Sequence, residues 1–414
     1  MGTMTDDQLS TAQVARRLGV KPQTVYAYVS RGLLRSTRQP GGRGSWFDPA
    51  EVARLASRGT PRAGTGVEIR TQLTVVADGR LYYRGADATA LARSRSFESV
   101  AAWLWSGADT ADVSFTAPAE GVRRGRKALA ALPATARLAD RLRTIVAVAA
   151  AADPLRFHTQ PEAVAATGGA VLAAMVDTLP LLGQPPGPED RLAARLWPRL
   201  TGRPAAPADI DVLNAALVLL ADHDLAASTV AARVAASTRA HPYAVVAAGL
   251  AALDGPLHGV AVTQAYRLIA DALQAGDPLG VYAERLRTDG RVAGFMEHVH
   301  HLYPRGDVRG TALLELLGQR PVPAAVRAAV DGLVAAAGER SARRPTVDFA
   351  LAVLGHAYGM AADAGEAAFA IARTAGWIAH AIEEYQEPGL RFRLSGSYTG
   401  PPPGCRDAIG SPRR

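Results

Sequence analysis

The sequence lacks the features that define several classes of protein. It has one cysteine, Cys405, in a Gly/Pro-rich tail, so the chain can form no internal disulfide and no cysteine metal site. It has no uninterrupted apolar stretch of about 18 residues, the length that can span a bilayer. The first residues are polar, unlike the basic and then apolar start of a secretory signal. We therefore expect a cytoplasmic protein.

Aromatic residues are also few, at 6%, whereas 48% of the 414 residues are hydrophobic. Alanine, leucine, valine and arginine dominate, and few segments alternate with the two-residue period of a half-buried strand. This composition favours a mainly α-helical protein. The chain is longer than one average domain, so we expect two or three domains.

The formal net charge of +8 is concentrated near the N-terminus, because residues 1–60 contain nine Lys or Arg residues and four acidic ones. Within this region, LSTAQVARRLGVKPQTVYAYVSRGLLRS predicts two short helices. Ser10 or Thr11 is placed to cap the first helix, Gly19 permits a tight turn, and Pro22 suits the first turn of the second helix. Two short helices joined by a glycine turn predict a helix-turn-helix.

The second predicted helix can enter a DNA major groove, while nearby basic residues meet phosphates. A Gly-rich turn followed by Trp46 and Phe47 adds a predicted wing. Residues 1–58 therefore resemble the winged helix-turn-helix domains of the MerR and excisionase type, and residues 59–67 are typical of a linker. The alternative is a scaffold or dimerisation module without DNA contact. The predicted DNA-binding residues are Arg16, Arg17, Lys21, Gln23, Thr24, Tyr28, Arg31 and Arg43.

The rest of the sequence contains several stretches with chemically active side chains. Three of them carry histidines, one carries an aspartate and one an arginine. Together they supply imidazoles, a carboxylate and guanidinium groups, which the condensation of a thioester with a polycarboxylate requires. Each residue alone is more often structural or half of an ion pair. The stretches are ADHDLAAST (221–229), GPLHG (255–259), HHLYPRGDVR (300–309), PTVDFALA (345–352) and ARTAGW (372–377).

These stretches occur in the order and spacing of the citrate synthase family, which roughly residues 68–400 resemble. His300 and Arg309 are nine residues apart, and Arg373 and Arg393 are twenty apart, as in the family. The resemblance implies an all-helical fold with large and small domains. The large domain is expected to comprise residues 68–259 and 360–414, and the small domain residues 260–359.

The resemblance also implies the roles of the site residues. Asp348 would remove a proton from the methyl group of the thioester, His258 would donate a hydrogen bond to the thioester oxygen, and His300 would donate one to the ketone oxygen of oxaloacetate. In the family the last arginine comes from the other subunit, which implies a homodimer. We expect no metal and no cofactor beyond the CoA thioester. The residues expected to bind oxaloacetate are His223, Arg309, Arg373 and Arg393.

The sequence departs from the family pattern at several positions, and we expect these departures to affect CoA affinity, acyl-group preference and the orientation of His300. The usual glycine-rich GFGH turn reads GFMEHVH at 294–300, the proline before Arg309 is Val308, and the second arginine of a late RPR element is Ser395. Ala226 and Val262 stand where the family often has asparagine. Four other histidines lack this support and are expected at the surface or in helix packing: His298, His301, His356 and His380.

Three functions are compatible with the sequence. The leading hypothesis is condensation of acetyl-CoA with oxaloacetate to citrate, with a DNA-binding module fused in front. An alternative keeps the mechanism but uses propionyl-CoA and produces 2-methylcitrate. The third hypothesis is a transcriptional regulator that binds oxaloacetate or acyl-CoA and has lost turnover.

Overall fold

The computed structural model divides the chain into two compact units. One unit contains the N-terminal residues and the other extends from Ile69 to Phe392. The described residues are 8–18, 20–30, 34–38, 45–49, 51–52, 69–110, 113–187, 190–297, 302–392 and 398–399.

The N-terminal unit contains two short helices, α1 (Thr11–Leu18) and α2 (Pro22–Ser30). Ser10 caps α1, since its hydroxyl accepts from the backbone N–H of Gln13 while its own N–H donates to Gln13 Oε1 at 2.8 Å. Three short strands pair antiparallel in the order β1-β3-β2. Both predicted helices are confirmed. The strands are β1 (Leu9–Ser10), β2 (Thr37–Arg38) and β3 (Ser45–Phe47).

The core of this unit corrects one of the predicted DNA contacts. Tyr28 is only 5% exposed, because it lies one helical turn after Val25 on the face that packs against Val14 and Phe47. The prediction that Tyr28 faces a DNA groove is therefore wrong, and Tyr26, 53% exposed, occupies the outward face of α2. The other predicted DNA-binding residues among those described are exposed or half-buried: Arg16, Arg17, Lys21, Gln23 and Thr24. Gly19, Arg31, Arg43 and the predicted linker lie outside the described residues.

The larger unit begins with a hairpin of β4 (Thr74–Ala77) and β5 (Arg80–Tyr83), to which β6 (Ala86–Asp87) adds a third strand. The hairpin turn lies at Asp78 and Gly79, as the sequence predicts. Both residues have positive φ, 52° and 73°, the backbone conformation of a two-residue hairpin turn that aspartate and glycine tolerate well.

Helices form most of the remainder, which confirms the mainly α-helical prediction. No described helix is long and apolar enough to cross a membrane. Strands β7 (Phe295–Glu297) and β8 (Arg343–Pro345) form a small antiparallel pair. The helices are α3 (Ala88–Ser94), α4 (Phe97–Ser106), α5 (Ala119–Leu129), α6 (Leu138–Ala152), α7 (Pro161–Thr178), α8 (Leu192–Leu200), α9 (Pro207–Leu220), α10 (Ala227–Ser237), α11 (Pro242–Leu253), α12 (Val260–Ala275), α13 (Pro278–Asp289), α14 (Val308–Gly318), α15 (Ala324–Ser341), α16 (Val347–Ala357) and α17 (Ala364–Gln386).

Helix α17 is the centre of the larger unit and is buried over most of its length. It packs against α4, α7, α9, α10 and α11. Its small residues permit close helix approach: a Cβ at Gly376 would lie 2.5 Å from the carbonyl oxygen of Ala221 at the end of α9. Helix α17 therefore brings Arg373, one turn before Gly376, close to the segment that carries His223.

Helices α12 to α16 and the β7-β8 pair pack on one another between residues 260 and 357. Helix α12 contacts α13, α15 and α16, and α14 contacts α16. The sequence predicts a small domain over residues 260–359. The boundaries of the large and small domains remain predictions.

Candidate active site

His223 lies in the short segment between α9 and α10, directly after the fully buried Asp222. Its Nε2 is 2.7 Å from the hydroxyl of Tyr303, and the two rings are tilted by 33° with their centroids 5.6 Å apart. The next residue, Asp224, adopts a left-handed conformation with φ 52°, which turns the chain towards α10. His223 and Tyr303 thus join two segments that are 80 residues apart in sequence.

Arg309 is held in the first turn of α14 by the helix-capping residue Asp307. Its Nε and Nη2 donate to the two carboxylate oxygens of Asp307, each at 2.9 Å, and its guanidinium lies 5.7 Å from the centroid of the Tyr303 ring. Burial opposes the charged form of Arg309, but the charge and hydrogen bonds of Asp307, together with Tyr303 and Asp348, raise the pKa of Arg309 overall. This bidentate geometry fixes the guanidinium as a permanent cation.

Asp348 occupies the first turn of α16, beside the same ion pair. Asp307 Oδ2 also accepts the backbone N–H of Val347 at 3.0 Å, so this carboxylate holds both Arg309 and the start of α16. The hydroxyl of Thr346 donates to Asp348 Oδ2 at 3.2 Å. Burial raises the pKa of Asp348 to about 6, against the opposing effect of Arg309. A carboxylate with this pKa is ionised near neutral pH and suits a general base.

His258 lies in the tight turn between α11 and α12. Gly259 allows this turn, because a Cβ there would lie 2.8 Å from the carbonyl oxygen of Leu253. The Nε2 of His258 is 2.8 Å from the hydroxyl of the fully buried Ser228, and the ring meets Phe369 edge-on with centroids 5.8 Å apart. Burial, followed by the positive charges of Arg373 and Arg309, lowers the pKa of His258 to about 4. The imidazole is therefore neutral at pH 7 and can donate one hydrogen bond.

Arg373 is 1% exposed in the middle of α17. Its Nε donates to the carbonyl oxygen of Leu220 at 2.8 Å, and its guanidinium lies 4.8 Å from the centroid of the Phe369 ring. Burial lowers the pKa of Arg373, and the negative charge of Asp222 partly offsets this. Among the described residues, no atom accepts a hydrogen bond from its Nη1. A buried guanidinium nitrogen of this kind suits an anionic ligand.

The structure brings five of the predicted site residues together. Arg309 and Arg373 both act electrostatically on His258 and on Asp348, so each of the two arginines lies within interaction range of the histidine and of the aspartate. His223 joins them through Tyr303. His300 and Arg393 lie outside the described residues. Among the described residues, no group of three or more His, Cys, Asp or Glu side chains could hold a metal ion.

Three further residues belong to this site, although sequence reasoning did not select them. Tyr303 contacts His223 and Arg309, Ser228 contacts His258, and Asp307 positions Arg309 and α16. Tyr303 and Asp307 lie in HHLYPRGDVR, and Ser228 lies in ADHDLAAST. Their proximity to the histidines and arginines in these stretches was the available signal, but their contacts depend on the fold.

The other histidines differ in their surroundings. His356 is half-buried and stacks on Tyr266 with ring centroids 3.8 Å apart, consistent with helix packing. His380 is fully buried and hydrogen-bonded to Arg233 and Asp222. The prediction of a surface or simple packing role for His380 is therefore incomplete. His298 and His301 lie outside the described residues.

The family model for the citrate synthase C-terminal domain matches residues 64–393, most of the chain. The chain belongs to the citrate synthase family. Its relatives in this family include citrate synthases and a 2-methylcitrate synthase. The family model for MerR regulatory proteins matches residues 10–45, in agreement with the helix-turn-helix prediction.

Individual relatives agree with this assignment. The chain is 31% identical to citrate synthase 2 of Bacillus subtilis over 49% of this chain and 54% of the relative, so it spans about half of that relative's length. It is 30% identical to 2-methylcitrate synthase 2 of Corynebacterium glutamicum over 77% of this chain and 88% of the relative. Its fold is similar to that of citrate synthase from Thermoplasma acidophilum, which was solved as a ternary complex with carboxymethyl coenzyme A and oxaloacetate. The TM-score is 0.67 at 24% identity, and the match covers 81% of this chain and 95% of that structure.

Proposed function

We propose that the protein condenses acetyl-CoA with oxaloacetate to give citrate and free CoA. The observation that carries this proposal is that two buried arginines, Arg309 and Arg373, act electrostatically both on a carboxylate, Asp348, and on a neutral imidazole, His258. A carboxylate base, a hydrogen-bond donor for a developing oxyanion and two fixed cations are the groups that this condensation needs.

In the proposed reaction, Asp348 takes a proton from the methyl group of the thioester. The electron pair of the C–H bond moves towards the thioester oxygen, where His258 donates a hydrogen bond to the developing negative charge. The enolate carbon then attacks the ketone carbon of oxaloacetate, and His300 gives a proton to the ketone oxygen. Water hydrolyses the resulting thioester and releases CoA. No cofactor beyond the CoA substrate takes part.

Arg309, Arg373 and His223 bind the carboxylates of oxaloacetate in this proposal. The Nη1 of Arg373 supports this role, because it has no hydrogen-bond partner among the described residues and can donate to a carboxylate as part of a bidentate pair. Arg393 of a second subunit would complete the site in a homodimer, as the family resemblance implies. The cytoplasmic location predicted from the sequence is part of the same proposal.

The decisive experiment follows the release of free CoA thiol from the purified protein with oxaloacetate and either acetyl-CoA or propionyl-CoA. We expect release with acetyl-CoA. The similarity to a 2-methylcitrate synthase supports propionyl-CoA as the alternative substrate, and faster release with it would favour that alternative. No release with either thioester, together with ligand-dependent DNA binding, would support the regulator hypothesis.

The pH dependence of kcat/KM tests Asp348 as the base. Because a carboxyl group with a pKa of about 6 is protonated below that pH, we expect the activity to fall as the pH drops through 6 and to level off above it. His258, with a pKa of about 4, is neutral throughout this range and should add no second step. Thr346→Val removes a hydroxyl that stabilises the ionised carboxylate of Asp348. The pH at which kcat/KM falls to half should therefore rise. A step that stays in place would contradict the assignment.

The fused N-terminal module is proposed to bind DNA. Replacing the exposed Arg16, Arg17 and Lys21 together by glutamine should weaken binding and reduce the slope of log K against log salt by about 0.9 for each phosphate that is no longer neutralised. A gel-shift or fluorescence titration with the upstream DNA of the protein's own gene measures this. The matched control replaces three exposed basic residues of the larger unit, Arg123, Lys127 and Arg287, by glutamine. Equal effects of the two triple variants would argue against a DNA-binding role for the module.

A further inference from the structure

A buried polar cluster lies outside the residues assigned to the reaction. It joins the first hairpin, the segment before His223, α10, α17 and the chain that follows α17. Four of its side chains, those of Asp222, Arg233, His380 and Glu384, are fully buried. We call it the His380 cluster, and its members are Thr74, Asp222, Arg233, His380, Glu383, Glu384 and Arg391.

The hydrogen bonds of His380 fix its tautomer. Arg233 Nε donates to His380 Nδ1 at 2.9 Å, and an arginine N–H is always a donor. His380 Nδ1 must therefore be unprotonated, which leaves the proton on Nε2. This Nε2–H donates to Asp222 Oδ2 at 3.1 Å. Arg233 thus determines which nitrogen of His380 faces Asp222.

Asp222 connects the cluster to the oxaloacetate residues. It is adjacent to His223 in sequence, and both its backbone N–H and its carbonyl oxygen hydrogen-bond to the hydroxyl of Tyr83. Thr74 and His380 donate to Asp222 Oδ2, whereas Oδ1 has no hydrogen-bond partner among the described residues. Its negative charge acts on Arg373. The orientation of His223 and the electrostatic environment of Arg373, two residues proposed to bind oxaloacetate, therefore depend on the position of Asp222.

The opposite end of the cluster consists of paired charges on α10, α17 and the segment that follows α17. Arg233 donates to Glu384 at 2.9 Å and to Glu383. Glu384 accepts both Nε and Nη2 of Arg391, at 2.7 and 2.6 Å. Arg391 precedes Arg393 by two residues in sequence. Buried charges that are fully paired fix geometry strongly, because loss of one partner leaves an uncompensated charge.

We propose that His380, set in its tautomer by Arg233, is a positioning residue that holds Asp222 and thereby orients His223 and Arg373 to bind the keto diacid. The inference rests on the proposed function, because it assumes that oxaloacetate binds at these residues. It assigns no contact between His380 and the substrate. If His380 had only a structural role, its substitution would lower the thermal stability without a selective change in the affinity for oxaloacetate.

Two amide substitutions separate the two hydrogen bonds of His380. In His380→Asn the amide occupies the position of Nδ1, so it can accept from Arg233 but cannot reach Asp222. In His380→Gln the amide reaches the position of Nε2 and can still donate to Asp222. We expect His380→Asn to raise the KM for oxaloacetate about tenfold, as the loss of a hydrogen bond to a charged group implies, with kcat and the KM for acyl-CoA nearly unchanged. His380→Gln should restore most of this affinity.

The control is Tyr358→Phe, which removes a hydrogen bond of 2.6 Å to another buried carboxylate, Asp209. Asp209 lies in the first turn of α9, at the end opposite Asp222, so this variant should lose stability with an unchanged KM. The inference is overturned by an unchanged KM in His380→Asn, by equal KM values in the Asn and Gln variants, or by an equal rise in Tyr358→Phe. If His380→Asn does not fold, Thr74→Val removes a bond to the same Asp222 oxygen and must raise the KM in the same direction.

Calorimetric titration of oxaloacetate separates this inference from the proposed function. If the wild-type protein releases no CoA but binds oxaloacetate, the proposed catalysis fails, and the dissociation constants of the same variants then test the inference with the same expected order. A wild-type protein that neither turns over nor binds oxaloacetate would overturn both.

Discussion

Asp348→Asn is expected to lower kcat by about 10²- to 10⁴-fold, the usual contribution of a general base. The amide has nearly the shape of the carboxylate and can keep its place beside Thr346, but it cannot take a proton from carbon. Oxaloacetate binding should be retained, since the Asp307–Arg309 pair stays intact. The substitution also removes a negative charge near Arg309 and Arg373, which favours the binding of dianionic oxaloacetate.

Steady-state thiol release and calorimetry on the same preparation measure the two effects. The control is Asp224→Asn, which removes one negative charge next to His223 at a left-handed position that asparagine also tolerates. This control should turn over at close to the wild-type rate. Normal turnover by Asp348→Asn would show that the base is another group, whereas loss of oxaloacetate binding would show that Asp348 has a mainly structural role.

The sequence predicted best those features whose causes are local. The capping residue Ser10, the start of α2 at Pro22 and the turn at Asp78 and Gly79 each depend on a few neighbouring residues. Tyr28 was assigned to the wrong face, because the short α2 has apolar residues on more than one side. Only the packing of the module decides that Tyr28 is buried and Tyr26 exposed.

The site was predictable in its principal groups but not in their supports. His258, Arg309, Asp348 and Arg373 lie in segments with recognisable family spacing. Their hydrogen-bond partners and the tautomer of His380 depend on contacts between residues far apart in the chain, such as the 147 positions between Arg233 and His380. Spacing along a sequence carries no information on such contacts. The same limitation explains why His380 was interpreted as a surface or packing residue.

Arg373→Lys is expected to lower the affinity for oxaloacetate by about 10- to 100-fold, with a smaller effect on kcat. Lysine keeps the positive charge but replaces a planar fork by a single ammonium group. The lysine side chain cannot donate to the Leu220 carbonyl oxygen and at the same time present two parallel N–H groups to a carboxylate. The charge-assisted hydrogen bonds to oxaloacetate are therefore lost, although the electrostatic attraction of the positive charge is kept. The KM for oxaloacetate and its calorimetric dissociation constant should rise together, while the KM for acyl-CoA stays constant.

Arg199→Lys is the matched control, because Arg199 is also a buried arginine, 5% exposed, and pairs with Asp177 away from the proposed ligands. This variant should lower the melting temperature and leave both KM values unchanged. If Arg373→Lys binds oxaloacetate as tightly as the wild type, the Nη1 of Arg373 has no carboxylate partner in the complex. Oxaloacetate would then be bound by Arg309 and His223. The role of Arg373 would be limited to its electrostatic effect on the pKa values of His258 and Asp348.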